Sequence, residues 1–215
     1  MHLKRQKVPK SWPIPRKGTK YVVRAKFNMN EGIPILVFLR DMLKIAQNRK
    51  EIKKALYKKH ILLNEKPVKS EKNSLLLFDK ITIIPSKKYY NLNLSKFGKF
   101  EADEVQKAEV GYKIAKIRNK KTLKGKKIQL NLSDGRNVLS DIRCNVNDSI
   151  IFDFKEKKIT KCLPLKENSK IIIFSGKHTG KRGSIIKINS EKKMAELEID
   201  KKKVNVLIKQ VMVIE

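Results

Sequence analysis

The chain has 215 residues, 52 of them Lys or Arg against 21 Asp or Glu, giving a net charge of +31 with 40% hydrophobic content. That apolar share supports about one to three small cores, and a compact body this positive is balanced by a polyanion beside it. No run approaches the roughly 20 apolar residues that span a bilayer, and no apolar h-region follows the basic N-terminus, so nucleic acid is the expected partner rather than a membrane.

The first segment, "HLKRQKVPKSWPIPRKGTKYVVR", is basic and has no amphipathic period. Pro9, Pro13 and Pro15 oppose a helix and favour an extended path. Residues 1–32 therefore read as an extended arm laid along RNA. Lys4, Arg5, Lys10, Arg16, Lys17, Lys20 and Arg24 would meet phosphates, and Trp12 would stack or fill a groove. The alternative is a disordered tail with one aromatic docked on the body, although such tails rarely carry aromatics.

Over residues 33–88, Pro34 is placed to open a helix. Leu36, Leu39, Leu43 and Ala46 recur at helical spacing, with Arg40 and Lys44 on another face. Asn48 is suited to cap a second helix, whose buried stripe is Ile52, Ala55 and Leu56. Arg49, Lys50, Lys53, Lys54 and Lys58 cover the opposite face with Tyr57 among them. A solvated face is the bland alternative. Glu51 is the lone acid, so balanced pairing does not explain the face, and a basic stripe on a helix fits RNA. "HILLNEKPV" and "LLLFDKITIIP" follow as short strands.

This order, carried by "LRDMLKIAQNRKEIKKALYKKHILLNEKPV", resembles the S-four RNA-binding module over Leu39 to Val68. Arg40, Asp41, Asn48, Arg49 and Asn64 fall on its polar signature. The module has glycine where this chain has Lys59 and Glu65. A left-handed backbone there costs on the order of 1 kcal/mol per non-glycine residue.

Residues 89–169 read as a small antiparallel β domain. "FEADEVQKAEV", the one acidic patch, suggests a short helix or linker, and Asp134-Gly135 in "KKIQLNLSDGRNVL" signals a hairpin. "SIIFDF" and "KKITKCLPL" add strands. Cys144 and Cys162 stand apart in sequence without a Cys-x-x-Cys partner, and only His2, His60 and His178 could complete a metal site. Both cysteines read as core or half-buried thiols of a reducing cytoplasm. No metal and no cofactor are expected.

Residues 170–215 begin with "KIIIFSGKHTGKRGSIIKI", a strand, a basic glycine turn and a strand. A nucleotide-binding loop would need four residues between its glycines, a hydroxyl after the Lys, and a following helix. Here three residues separate Gly176 from Gly180, Arg182 replaces the hydroxyl, and "SIIKI" is strand-like. No nucleotide is expected. "MAELEID" and "KKVNVLIKQVMVIE" alternate in part and would complete a small barrel. With Gly176, Gly180 and Gly183, the segment resembles the KOW motif, which implies phosphate contact through Lys177, Lys181 and Arg182, with His178 stacking or hydrogen-bonding nearby.

The expected fold class is multidomain α+β: an S-four-like helical hairpin with strands, a central antiparallel β domain and a C-terminal KOW barrel. Taken in order, the arm, the module, "GKKIQLNLSDGRN" and the terminal barrel resemble the archaeal and eukaryotic small-subunit ribosomal proteins of the S-four e-type family, over essentially the full chain. The resemblance implies a non-enzymatic constituent of the small subunit in the cytoplasm, with small-subunit ribosomal RNA and neighbouring ribosomal proteins as partners. An RNA-modifying enzyme would need a placed carboxylate in a cleft, whereas Asp134 and Asp141 lie in turn or loop sequence. A transcription elongation factor would leave the arm and the module unexplained.

Overall fold

The computed structural model describes residues 2–140, 142–189, 191–200 and 202–214; Asp141, read above as a loop residue, lies outside them. It is mostly strand, 42% against 15% helical. Two compact units are present: residues up to Ser95 with Lys99–Gly111, and Lys96–Gly98 with Tyr112 onward.

In the first unit the N-terminal segment does not run out as an extended arm. Leu3–Lys4 pairs antiparallel with Tyr21–Val22, and the one helical piece between them is the 3-10 turn Arg5–Lys7, ahead of the first proline. The chain then pairs Gly32–Pro34 with Ser74–Leu76. A side chain at Gly32 would stand 2.9 Å from the Leu75 carbonyl oxygen, so only glycine permits that approach.

Pro34 precedes a short helix, Ile35–Val37, which passes directly into a π-helical turn, Phe38–Met42. The Leu43 N–H donates to the Phe38 carbonyl at 3.0 Å, closing that wider turn. Residues 32–39 are all buried, so this piece has no amphipathic stripe; a helix apolar all round belongs in a core. It stops at Lys44, whose φ of 53° is left-handed. Ala46 therefore lies beyond the helix, and Lys44 caps its end instead of sharing a face with Arg40.

The second helix, Arg49–Tyr57, follows Asn48 in extended conformation and buries Ile52 and Leu56. Glu51 reaches back to accept from the N–H groups of Gln47 at 2.9 Å and Asn48 at 3.4 Å, satisfying donors that no helical turn can. Beyond it, Lys66–Pro67, Ile61–Leu63, Lys80–Ile83, Lys88–Leu94 and Phe100–Glu104 form one sheet in that spatial order. Along Lys88–Leu94 the residues Tyr90, Leu92 and Leu94 turn inward, as the twofold period of a strand requires. The acidic patch, expected as a helix or linker, is instead the edge strand Phe100–Glu104. Its backbone is paired from Leu94↔Phe100 to Tyr90↔Glu104, and only Lys107–Gly111 is helical, as a 3-10 turn.

The turns at Lys59, Asn64 and Glu65 are left-handed, with φ of 56°, 50° and 65°. Asn64 is the residue that holds the second of these turns. Its amide donates to Asp79 at 2.8 Å and its carbonyl oxygen accepts from the Lys80 N–H at 3.0 Å; Asp79 accepts in turn from the Leu76 N–H at 2.7 Å. Both residues are buried, so each polar atom has to find a partner inside the protein.

The second unit is built on the long strand Tyr112–Thr122. It pairs with Ile128–Leu132 at one end and with Ser149–Asp153 at the other, in a sheet completed by Asn137–Ser140 and Ile159–Leu163. Ile128–Leu132 and Asn137–Ser140 form the hairpin around Gly135, whose φ is 84°. Ala115, Ile117, Leu130, Leu132, Ile150 and Phe152 fill its core. A further sheet orders Lys202–Leu207, Met194–Ile199, Arg182–Asn189, Lys170–Ile173 and Val211–Val213, around Ile171, Ile173, Ile185, Leu197 and Val211.

Candidate nucleic-acid interface

With Ile52 and Leu56 turned inward, the Arg49–Tyr57 helix exposes Lys50, Lys53 and Lys54, and Lys58 follows at its C-cap. Tyr57 stands among them 90% exposed. Arg49 behaves differently from its neighbours. Its Nε donates to Glu71 Oε1 at 3.2 Å and its Nη2 to the same oxygen, so the guanidinium braces the helix against the 70–73 turn. Burial works to raise the Glu71 carboxyl. The Arg49 hydrogen bond, the residue's own backbone N–H and the charges of Arg49 and Lys53 outweigh it and hold the group below the usual carboxylate value. Arg40 is likewise engaged, bidentate with its neighbour Asp41 at 3.1 and 2.9 Å.

In the N-terminal segment Arg5 ties the folded-back chain together. Its guanidinium donates to the Thr19 carbonyl at 2.7 Å, the Pro15 carbonyl at 2.8 Å and Thr19 Oγ1 at 2.8 Å. Trp12 is 3% exposed, with Nε1 donating to the Gly32 carbonyl at 2.9 Å. It has no free face for a base and packs into the core, which differs from its expected role on RNA. Lys4, Lys10, Arg16, Lys17, Lys20 and Arg24 are on the surface, with the Lys20 ammonium 5.6 Å from the centre of the Tyr21 ring.

In the second unit the loop from Phe174 to Lys181 is pinned from inside. The Gly180 N–H donates to the Ile173 carbonyl at 2.7 Å, the Lys181 N–H to the His178 carbonyl at 3.2 Å, and Thr179 Oγ1 to the Gly176 carbonyl at 2.6 Å. Gly176 and Gly180 take φ of 94° and 87°, which glycine adopts without strain. Gly183 has another reason: it lies in the following strand, where a Cβ would come within 2.1 Å of the Glu198 carbonyl oxygen. A strand follows the loop, not a helix, so the dipole that a nucleotide loop aims at phosphate is missing. Lys177 and Arg182 are exposed; His178 and Lys181 are half-buried.

Three features escaped sequence reasoning. Lys116 is buried, its ammonium donating to the Ile208 carbonyl and to the Val211 carbonyl at 2.6 Å. The Asp134 side chain, 6% exposed, is ion-paired with Lys113 at 3.4 Å and Arg136 at 3.3 Å, a structural ion cluster in the hairpin. Cys144 and Cys162, distant in sequence, are free thiols, and Cys162 Sγ donates to Asp148 Oδ2 at 4.0 Å. Burial, the neighbouring Cys144 thiol and the Asp148 charge push the Cys162 thiol up to about 12. An inward-facing Lys at a period-two position was the one signal in the sequence, and among so many lysines it does not stand out. Among the described residues no group of three or more His, Cys, Asp or Glu could hold a metal ion, and no helix is long and apolar enough to cross a membrane.

One family of known proteins shares this architecture. The family model for the ribosomal family S4e matches residues 86–159, and the RS4NT (NUC023) domain matches residues 1–26. The small ribosomal subunit protein eS4 of Methanospirillum hungatei is 37% identical over 191 residues, covering 86% of this chain and 79% of the relative. That of Methanocella arvoryzae is 36% identical over 190 residues, covering 87% and 80%. The crystal structure of the 30S ribosomal protein S4e from Thermoplasma acidophilum superposes with a TM-score of 0.74 at 22% identity, covering 86% of this chain and 95% of that one.

Proposed function

Since the chain belongs to the ribosomal S4e family, we propose that it works as a structural, non-enzymatic constituent of the small ribosomal subunit by holding ribosomal RNA mainly through phosphate. The observation that carries the RNA contact is the helix face of Lys50, Lys53, Lys54 and Lys58 around a Tyr57 left 90% exposed. An aromatic bared among cations offers a stacking surface beside phosphate ligands.

The exposed cations of segment 1–32 and those of the Lys177–Arg182 loop supply further contacts on this reading. The helix pair of 33–88 acts as an S-four-like module, 89–169 as a connecting β domain, and 170–215 as a KOW-like small barrel. Support for the first comes from the left-handed turns at Lys59 and Glu65, which retain the glycine geometry of that module. Phosphate contacts fix position and orientation and carry no sequence information. Several weak contacts on one chain act together through high effective concentration. Neighbouring ribosomal proteins complete the partners, and the compartment is the cytoplasm.

Sedimentation of a cell lysate through a sucrose gradient tests this. The protein is expected in the small-subunit peak and retained through a moderate salt wash. Recovery only at the top of the gradient, at low salt with intact ribosomes, would overturn the reading.

A further inference from the structure

We propose that Phe97 is a nucleobase-stacking residue that forms one RNA site with the Lys177–Arg182 loop. This rests on the reading of that loop as a phosphate contact. Phe97 is 91% exposed, and among the described residues no ring or cation is stacked on it. The segment Lys96–Gly98 belongs to the same compact unit as the loop. At Gly98, φ is +75° and a Cβ would stand 3.1 Å from the Thr179 carbonyl oxygen and 3.3 Å from its Cβ. The backbone at Gly98 therefore lies directly on the middle of the basic loop, and Phe97 is one residue along the chain from that contact.

The loop side of the contact is rigid, because Thr179 is itself bonded to the Gly176 carbonyl at 2.6 Å. A ring held at such a point loses little freedom when it engages a partner. Its surroundings select the partner. Lys96 precedes it in the chain, and Lys177 and Arg182 lie on either side of Thr179 in the loop sequence; all three are exposed. A protein partner would want a contiguous apolar patch with few charges at its centre. A bared ring on a segment that packs against a basic loop matches single-stranded RNA, whose bases stack while its phosphates are held.

The test measures binding of small-subunit ribosomal RNA transcript across a salt series, using the full chain. Phe97→Ala and Phe97→Leu are expected to lose about 5- to 150-fold in affinity, the range for one stacked base. Phe97→Tyr should stay within about twofold of wild type, since it keeps the ring. All three should melt like wild type, and the salt dependence should stay unchanged because every cation that holds phosphate is still in place. Lys177→Ala with Arg182→Ala should instead make the salt dependence shallower. If that double variant behaves like wild type, the loop reading fails and this site with it. If only the Phe97 variants behave like wild type, stacking is overturned while the loop stands. Full affinity in Phe97→Leu would also overturn it, showing an apolar contact without a π-face. So would normal RNA binding by Phe97→Ala combined with failure to enter reconstituted subunits, which would make Phe97 a protein contact.

Discussion

The Lys116 ammonium donates to the Val211 carbonyl at 2.6 Å across 95 residues of sequence, and this one hydrogen bond ties the long Tyr112–Thr122 strand to the last strand of the chain. Burial, together with the nearby Arg118 charge, brings the Lys116 amine down from 10.5 to about 8. Between those values the unfolded chain binds a proton that the folded chain does not, so this group's contribution rises with pH through that window. Lys116→Met, which cannot titrate, should fall behind wild type by about 2 kcal/mol more at pH 9.5 than at pH 7.5. Urea unfolding of both proteins at the two pH values measures it. The opposing titration of the Cys162 thiol, raised in the fold, is common to both proteins and cancels. A constant difference would show that Lys116 keeps an ordinary pKa.

The Arg49–Glu71 pair separates structure from binding on one helix. Glu71→Gln should destabilise the fold by about 1.5 kcal/mol at neutral pH and lose that penalty as the medium is acidified. The wild-type carboxylate is held below 4.5 in the fold, so its stabilisation is present above that value and disappears as pH falls through the folded pKa. Thermal melts from pH 7 down to pH 3 check this.

Alanine at Lys50, Lys53, Lys54 and Lys58 together should leave the melting temperature and circular dichroism unchanged, since Ile52 and Leu56 stay in place and alanine favours helix. Affinity for ribosomal RNA should fall, and the salt slope should shrink by about one for each phosphate the variant no longer holds. Arg49 is kept out of this set because its removal leaves Glu71 unpaired. Unchanged binding would make the face merely solvated.

Replacing Lys177, Lys181 and Arg182 with alanine should reduce the salt slope by about two to three and weaken cognate and unrelated RNA alike. ATP and GTP should neither bind the wild-type protein nor compete with RNA. Isothermal titration with Mg²⁺ present reads the second point, and micromolar nucleotide binding would revive the nucleotide-loop reading.

Trp12 is the sole tryptophan, so its fluorescence reports one site. Emission should be blue-shifted, resistant to acrylamide and unaltered by RNA. Trp12→Ala should cost about 3–5 kcal/mol, and it also leaves the Gly32 carbonyl without its donor. Quenching by RNA would show that the ring leaves the core on binding.

Wherever a structural feature is set by neighbours in the chain, the sequence alone determined it. The Asp134-Gly135 turn, the Asn48 start of the second helix with its Ile52 and Leu56 stripe, and the alternation of the later strands all follow from side-chain size, period and turn chemistry acting over a few residues. The same holds for the basic character of the helix face and of the glycine loop, because no acid nearby offsets either. Tertiary structure alone decided which cations remain available. Arg49 reads like Lys50 and Lys53 until Glu71 arrives from 22 residues away. Arg5 reads like Lys4 until Thr19 folds back onto it, and Trp12 reads as a bared aromatic until the Gly32 carbonyl covers its indole N–H. A charge or a ring is the same in any local sequence. Its role depends on whether a distant segment supplies a partner, since a paired, desolvated group is committed to the fold and an unpaired one is left to meet RNA.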